Sequence, residues 1–553
     1  MFRSKLTNLF VTKEQPTSAP SKEEAKTLSG NNAVKYSSTD NPFVTEFGQL
    51  ASFKSPRRFE EVSTSMRTLW DLNPLLTTMF TLYIRMITRV TQLFDGLRTA
   101  SPQRGAGLRY EGIMRMLWIA IYYPDSFWKN IRLFISVGSW KDIIQMLSLD
   151  LQYHGWAHRK LDWDKMGMLI LAGLENPNTT QLLKKYLPQI KSNPSCTTTE
   201  SQADNIIAKW ICSLLFGTKN NGYTYKQYRK LKASGIAHQW QQFISRGEFL
   251  KIDFNTIHGR ALAQLVSGKF LKNQGLEKKY EEWIMNRPIA KFTGYVHELF
   301  SFPNLYALKK HQKDTINSQF MGLVEKARTG AIKNSKLLVA LDVSGSMNST
   351  AHGTKMSSAM LARIIAVFYS YLHDSIFSTF FVEFASTTRA RMWEGKTPLD
   401  RVTQGVRQAV GSTNIQSVID FLIDFTKNKS IPEEILPSGI LCISDGEFDA
   451  TNYSKTNLEE MRLKLARAGF SEEYLNNFKV VIWNIPNSFY SSRAKSKFET
   501  YDTKARNVFY FSGFDPSVIA FLTGVEGPVR SINSAADLFA AAMDQQILKM
   551  VEV

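Results

Sequence analysis

Residues 336–347 read Lys336-Leu337-Leu338-Val339-Ala340-Leu341-Asp342-Val343-Ser344-Gly345-Ser346-Met347, and this stretch decides the fold of the second half of the chain. Leu337 to Leu341 form a continuous apolar run, the composition of a parallel strand covered on both faces. The run stops at Asp342, and Asp-x-Ser-x-Ser then places one carboxylate and two hydroxyls on a loop directly beyond the strand. Gly345 reads as the residue that lets this loop turn tightly.

Downstream the same grammar repeats. A helix is expected from about 356 to 372, a strand over 376–384 and a helix over 399–410. The turn Gly411-Ser412-Thr413-Asn414 leads into a helix over 415–426. Gly439-Ile440-Leu441-Cys442-Ile443-Ser444 is a second buried strand, stopping at Asp445-Gly446-Glu447. A helix at 456–468, strands at 479–484 and 507–511 and two final helices complete the series. Strands alternating with helices predict a doubly wound, mostly parallel sheet, whose ligands bind beyond the carboxyl ends of its strands.

The three polar loops fall at such ends. Asp342, Ser344, Ser346, Thr413 and Asp445 offer oxygen ligands only, with modest negative charge. A hard cation that keeps some of its waters suits them, Mg²⁺ first, with Mn²⁺ or Ca²⁺ also compatible. The competing interpretation makes Asp342 and Ser344 a helix cap. It accounts for one loop and leaves the other two unexplained. The five residues match, one by one, the metal-site positions of von Willebrand factor A domains, and the region resembles that family. The resemblance implies that Ser344, Ser346 and Thr413 approach the metal directly and that the aspartates often act through water. It also implies one open coordination position for a partner's carboxylate. Glu447 and Asp449, near the same edge, read either as groups that support the metal ligands from behind or, more plainly, as solvated loop acids.

The preceding part of the chain is written differently. Apolar residues at three- and four-residue spacing predict helices over 64–97, 110–122, 125–136, 140–149, 166–174, 180–186, 203–215, 224–234, 240–245, 260–270 and 277–285. Many short helices in series suggest a HEAT-like helical solenoid or ring, although no fixed repeat length is present.

Charge separates the two parts. The chain holds 68 basic and 49 acidic residues, a net charge of +19. Residues 331–553 contain 23 of each sign, so residues 1–330 hold 45 basic and 26 acidic residues and the whole excess. Such asymmetry suggests that the first part meets a polyanion.

Ala290-Lys291-Phe292, then 296–308, 315–327 and 335–347, follow the layout of the Ro autoantigen (TROVE-domain) family, which the chain resembles from about residue 290 onward. Residues 223–231 (YTYKQYRKL) and 240–257 are similar to relatives of that family with the same two-part plan. The resemblance implies a helical ring that binds small structured RNAs on its basic outer face and admits single-stranded ends of misfolded RNAs. Lysines and arginines there would neutralise phosphates, and aromatics would stack on bases. The leading RNA-binding candidates are Tyr225, Lys226, Tyr228, Arg229, Lys230 and Lys232. Weaker ones are Lys184, Lys185 and Lys191, then Lys54, Arg57 and Arg58, then Lys309, Lys310 and Lys313. Each cluster has a plainer interpretation, a solvated helix face with its aromatics in the core.

Several classes are disfavoured. No apolar run approaches the roughly 18 residues of a membrane span, and the N-terminus lacks the apolar core of a secretory signal. Cys196, Cys212 and Cys442 are too scattered for a disulfide framework or a zinc site, which points to a reducing, cytoplasmic compartment. No P-loop, nucleophile elbow or His-Glu-x-x-His motif is present, and His154 and His158 lack the glutamate of a zinc protease. The expected organisation is a disordered polar tail over 1–42, a basic all-helical TROVE-like domain over 43–330 and a von Willebrand factor A domain over 331–553. Two functions fit it. One is a non-catalytic RNA-binding protein that also recruits a carboxylate-bearing protein partner through Mg²⁺. The other is a metal-dependent interaction or assembly module, for example in a viral particle or large complex, without RNA.

Overall fold

The structure is a computed structural model. It describes residues 26–28, 34–36, 41–43, 46, 58–92, 108–190, 199–217, 222–235, 239–257, 259–287, 289, 290, 292, 295–302, 304–328, 335–351, 354, 356–405, 411–427, 431–451, 456–485, 507–512, 539, 543 and 546–553. The chain divides into two compact units. One comprises Met1–Ser55, Thr91–Ala106 and His258–Ala542, the other Pro56–Val90, Gly107–Ile257 and Met543–Val553.

The first unit is built on a six-stranded sheet. Its strands are β3 (Leu337–Asp342), β4 (Phe380–Phe384), β5 (Thr388–Met392), β6 (Gly439–Ser444), β7 (Lys479–Asn484) and β8 (Val508–Ser512), in the order β5-β4-β3-β6-β7-β8. All neighbours are parallel except β4 and β5. The central strands β3 and β6 are buried at every position, as their unbroken apolar runs require. Residues 376–384, expected as one strand, open with a 3₁₀ turn, Ile376–Ser378, and the strand starts at Phe380. Strand β5 escaped sequence reading because Thr388-Arg389-Ala390-Arg391-Met392 has no apolar run. It is a largely exposed edge, and its arginines discourage further strand pairing.

The period-two alternation of β3 feeds two cores. Leu337, Val339 and Leu341 share one with Leu361, Ile365 and Phe368 of α15 (Ser358–Ser370). Leu338 and Ala340 share the other with Val418 and Leu422 of α17 (Gln416–Lys427) and Met461 and Leu465 of α18 (Asn457–Arg467). Helices α17 and α18 cover one sheet face, while α15 is buried on nearly every side against the other. The helix expected over 399–410 is observed as α16, Pro398–Thr403, and 406–410 lie outside the described residues. The two final helices expected near the C-terminus fall mostly outside them as well.

The boundary expected at 330 falls inside this unit, which takes in the chain from His258 and with it the helices α11 (Gly259–Ser267), α12 (Phe270–Asn273) and α13 (Glu277–Met285). The reason is packing. Helix α14 (Lys310–Ala327) lies in the same core as β3: Phe320 meets Phe368 at 5.5 Å and Tyr371 at 5.6 Å between ring centroids, and Phe300 at 6.1 Å. Burying Phe320 contributes roughly 1.5–3 kcal/mol. Within the stretch expected as a disordered tail, β1 (Lys26–Leu28) and β2 (Val34–Tyr36) pair antiparallel, and just beyond it Phe43 packs on Phe539 at 6.0 Å.

The second unit is helical: α1 (Phe59–Leu72), α2 (Pro74–Gln92), α3 (Leu108–Tyr122), α4 (Pro124–Val137), α5 (Trp140–His154), α6 (Trp163–Glu175), α7 (Thr180–Tyr186), α8 (Thr199–Phe216), α9 (Gly222–Ala233) and α10 (Gln239–Arg246). The single helix expected over 64–97 is two. Asn73-Pro74 breaks it, because Pro74 has no amide for the preceding turn but fits the first position of α2, where Asn73 Oδ1 accepts the Leu76 N–H at 2.9 Å. Residues 93–97 lie outside the described residues. Asp150, fully buried, accepts hydrogen bonds from the Lys160 and Leu161 amides (2.9 and 3.2 Å) and from Trp163 Nε1 (2.9 Å), which fixes the turn between α5 and α6. The segment 546–553 belongs here too, with the Glu552 N–H donating to Asn130 Oδ1 at 3.0 Å. No described helix is long and apolar enough to cross a membrane.

Candidate metal centre

The carboxyl ends of β3, β4 and β6 lie side by side, so the loops that leave them share one edge. Beyond β3 the chain forms a short 3₁₀ turn, Gly345–Asn348. Asp342 Oδ1 accepts the Ser344 N–H at 2.8 Å, and the hydroxyls of Ser344 and Ser346 are 3.2 Å apart. Ser344 stands at the start of this turn but its side chain makes no capping bond, and α15 is capped further on by Ser357, whose Oγ accepts the Met360 N–H at 3.2 Å. Gly345 also differs from expectation. Its backbone is not left-handed, and a Cβ there would meet nothing within 4 Å.

Thr413 is tied to both neighbouring strand ends. Its carbonyl accepts the Asp449 N–H at 3.0 Å from the loop after β6, and the next amide, Asn414, donates to the Ala385 carbonyl at 3.0 Å just beyond β4. Asp445 follows β6 directly. Gly446 after it holds φ +83°, a left-handed conformation that favours glycine. Asp342, Ser344, Thr413 and Asp445 are all buried, and so is Glu447, which is therefore not the solvated acid its loop position suggested. Asp449 is half-buried.

Electrostatics tests whether these groups suit a cation. Burial, and after it the negative charge of Asp445, push the Asp342 carboxyl up to about 7, against the opposing hydrogen bonds from Ser444 and Ser344. The Cys442 thiol beneath is raised by its own burial and by the same two carboxylates. Two buried like charges at one edge cost free energy that a divalent cation would relieve. The donors are carboxylate and hydroxyl oxygens, and no group of three or more His, Cys, Asp or Glu gathers as a metal site among the described residues. That set fits a hard, oxygen-seeking ion better than zinc.

A family model described as a domain of unknown function (DUF7788) matches residues 337–543, most of the sheet unit. The crystal structure of the Deinococcus radiodurans Ro (RSR) protein is similar at 12% identity, with a TM-score of 0.39, over 83% of this chain and 90% of that one. No curated protein matches the chain.

The basic and aromatic run 225–232 lies on α9, and the structure sorts its members. Lys226, Arg229 and Lys230 are exposed, and Tyr225 is half-buried. Tyr228 is fully buried, its hydroxyl donating to the Pro188 carbonyl at 3.0 Å. It is a core residue and offers no face for a base. Lys232 donates to the carbonyls of Leu187 and Lys185 at the end of α7, so its ammonium is engaged with backbone. Of the weaker clusters, Lys184 and Lys185 are half-buried, while Arg58, Lys309, Lys310 and Lys313 are exposed. Lys309 pairs with Glu277. Lys54, Arg57 and Lys191 lie outside the described residues.

Sequence reasoning missed Ser444. Fully buried at the end of β6, its Oγ donates to Asp342 Oδ2 at 2.5 Å and accepts the Gly446 N–H at 3.1 Å. The available signal was a hydroxyl residue closing an otherwise apolar strand immediately before the second acid.

Proposed function

We propose that Asp342, Ser344, Ser346, Thr413 and Asp445 hold Mg²⁺ in a centre of the von Willebrand factor A type, and that a protein partner supplies a carboxylate to it. The single observation that supports this most is the burial of Asp342 and Asp445 at adjacent strand ends, close enough for one charge to disfavour the other. The bound ion would supply positive charge and an exchangeable coordination position. The chain's own residues would set its place, and no side chain is assigned a catalytic task. Mn²⁺ and Ca²⁺ are compatible with the same donors.

With this goes a Ro-like role for the basic helical part, in which small structured or misfolded RNA binds through phosphates, in the cytoplasm. The support is the confinement of the net positive charge to residues 1–330 and the exposure of Lys226, Arg229 and Lys230 along α9. A solenoid or ring arrangement of the helices belongs to the same proposal. The second reading, a metal-dependent assembly module without RNA, is favoured by the burial of Tyr228 and the anchoring of Lys232.

Two measurements test these readings. Titration of the full chain with Mn²⁺, followed by electron paramagnetic resonance, should give one bound ion in the wild type and a large loss of affinity in Asp342→Ala. Equal binding by both proteins would remove the centre. Nucleic acid recovered with the purified protein should be RNA that leaves as salt rises. Protein that stays free of RNA at low salt, and shifts neither structured nor single-stranded RNA, would leave the assembly module as the function.

A further inference from the structure

We propose that Ser444 is the positioning residue of this centre, the group that sets the direction of the Asp342 carboxylate. The inference rests on the metal reading above and adds to it a residue outside the five ligand positions.

Register puts Ser444 in place. Leu341 on β3 lies opposite Ile443 on β6, so the next residues, Asp342 and Ser444, emerge together on the sheet face that carries Ala340 and Cys442. Asp342 Oδ1 accepts the Ser344 amide at 2.8 Å and Oδ2 accepts Ser444 Oγ at 2.5 Å, with the Ser344 side chain a further partner of the carboxylate. The first bond comes from Asp342's own loop and holds the residue to its own chain segment. The second comes from the neighbouring strand and fixes the carboxylate relative to the loop that bears Asp445.

The same hydroxyl works in both directions. While donating to Asp342 it accepts the Gly446 N–H at 3.1 Å, so one oxygen ties the residues on either side of Asp445 to the opposing acid. Only a hydroxyl performs both tasks well; alanine performs neither, and a thiol donates and accepts weakly. Supporting hydrogen bonds of this kind orient metal ligands, and their loss typically costs about 10–100-fold in affinity.

The test uses the full chain with Mn²⁺ as probe, read by electron paramagnetic resonance well below the melting temperature, with circular dichroism recorded on each protein. Ser444→Ala should weaken Mn²⁺ binding by about 10–100-fold, and the near-isosteric Ser444→Cys, which preserves packing, by roughly tenfold. Ser444→Thr, which keeps the hydroxyl, should stay within about threefold of wild type. A role in packing alone would lower melting temperatures without separating the variants by hydroxyl content. Wild-type affinity in the Ala and Cys variants would overturn the positioning role while leaving the centre intact. A wild-type chain that binds no Mn²⁺, or binds it no better than Asp342→Ala, would overturn the centre and this inference together.

Discussion

Arg85 on α2 donates twice to a single oxygen of Asp142 on α5, from Nε at 2.7 Å and from Nη2 at 2.5 Å, with both side chains fully buried. The same Asp142 oxygen accepts the Ser139 N–H at 2.8 Å, which closes the first turn of α5. One carboxylate thus joins two helices far apart in sequence and caps one of them.

Asp142→Ala should therefore be among the more damaging single changes in the helical unit. It removes the carboxylate to which the buried Arg85 guanidinium donates and opens the cap, at a cost of about 3–5 kcal/mol. Native-state hydrogen exchange at the amides of α2 and α5 would report it as a sharp loss of protection. Unchanged protection there would mean that the pair contributes nothing net.

Phe320→Ala asks whether α14 belongs to the sheet's core. The substitution removes a fully buried ring shared with Phe300, Phe368 and Tyr371. The expected destabilisation is about 3–5 kcal/mol. Exchange at β3 amides should accelerate along with exchange in α14. Faster exchange confined to α14 would restore a boundary near 330.

Acid should weaken the sheet unit through His373. Its ring is buried against Tyr369 at 4.5 Å, and its Nδ1 lies 2.8 Å from Ser375 Oγ. Burial lowers its pKa from 6.5 to about 4, with the Arg328 charge adding to the shift and Asp374 opposing it. The folded state therefore holds the ring neutral, whereas the unfolded chain takes up a proton near 6.5. The stabilisation is complete above 6.5 and is lost as pH falls from there through 4, up to about 3 kcal/mol in all. His373→Gln should flatten that part of the stability profile. An equally steep acid loss in the variant would place the cause elsewhere.

Charge reversal on α9 separates surface from core. If the helical part binds RNA through phosphates, Lys226→Glu, Arg229→Glu and Lys230→Glu combined should reduce affinity, with the salt slope falling by about 0.7–0.9 for each phosphate that is no longer neutralised. Tyr228→Phe should leave RNA affinity alone and cost about 1–2 kcal/mol of stability, because the Pro188 carbonyl is left without its donor. Weaker RNA binding by Tyr228→Phe at unchanged stability would reverse that assignment.

Local pattern carried much of this protein. The apolar runs of β3 and β6, the polar residues that end them and the spacing of most helices are written in adjacent residues, because periods of 2 and 3.6 are properties of the backbone itself. Strand β5 and the break at Asn73-Pro74 are local too, but their signals were weak or overridden by apolar spacing on either side. What the tertiary structure alone decided is non-local. It placed α14 in the sheet's core and turned Tyr228 inward while leaving Lys226 and Lys230 in water. It also brought Ser444 across to Asp342, 102 positions away in sequence. No window of sequence contains such facts, since a side chain's burial and hydrogen-bond partners depend on which distant segments pack against it.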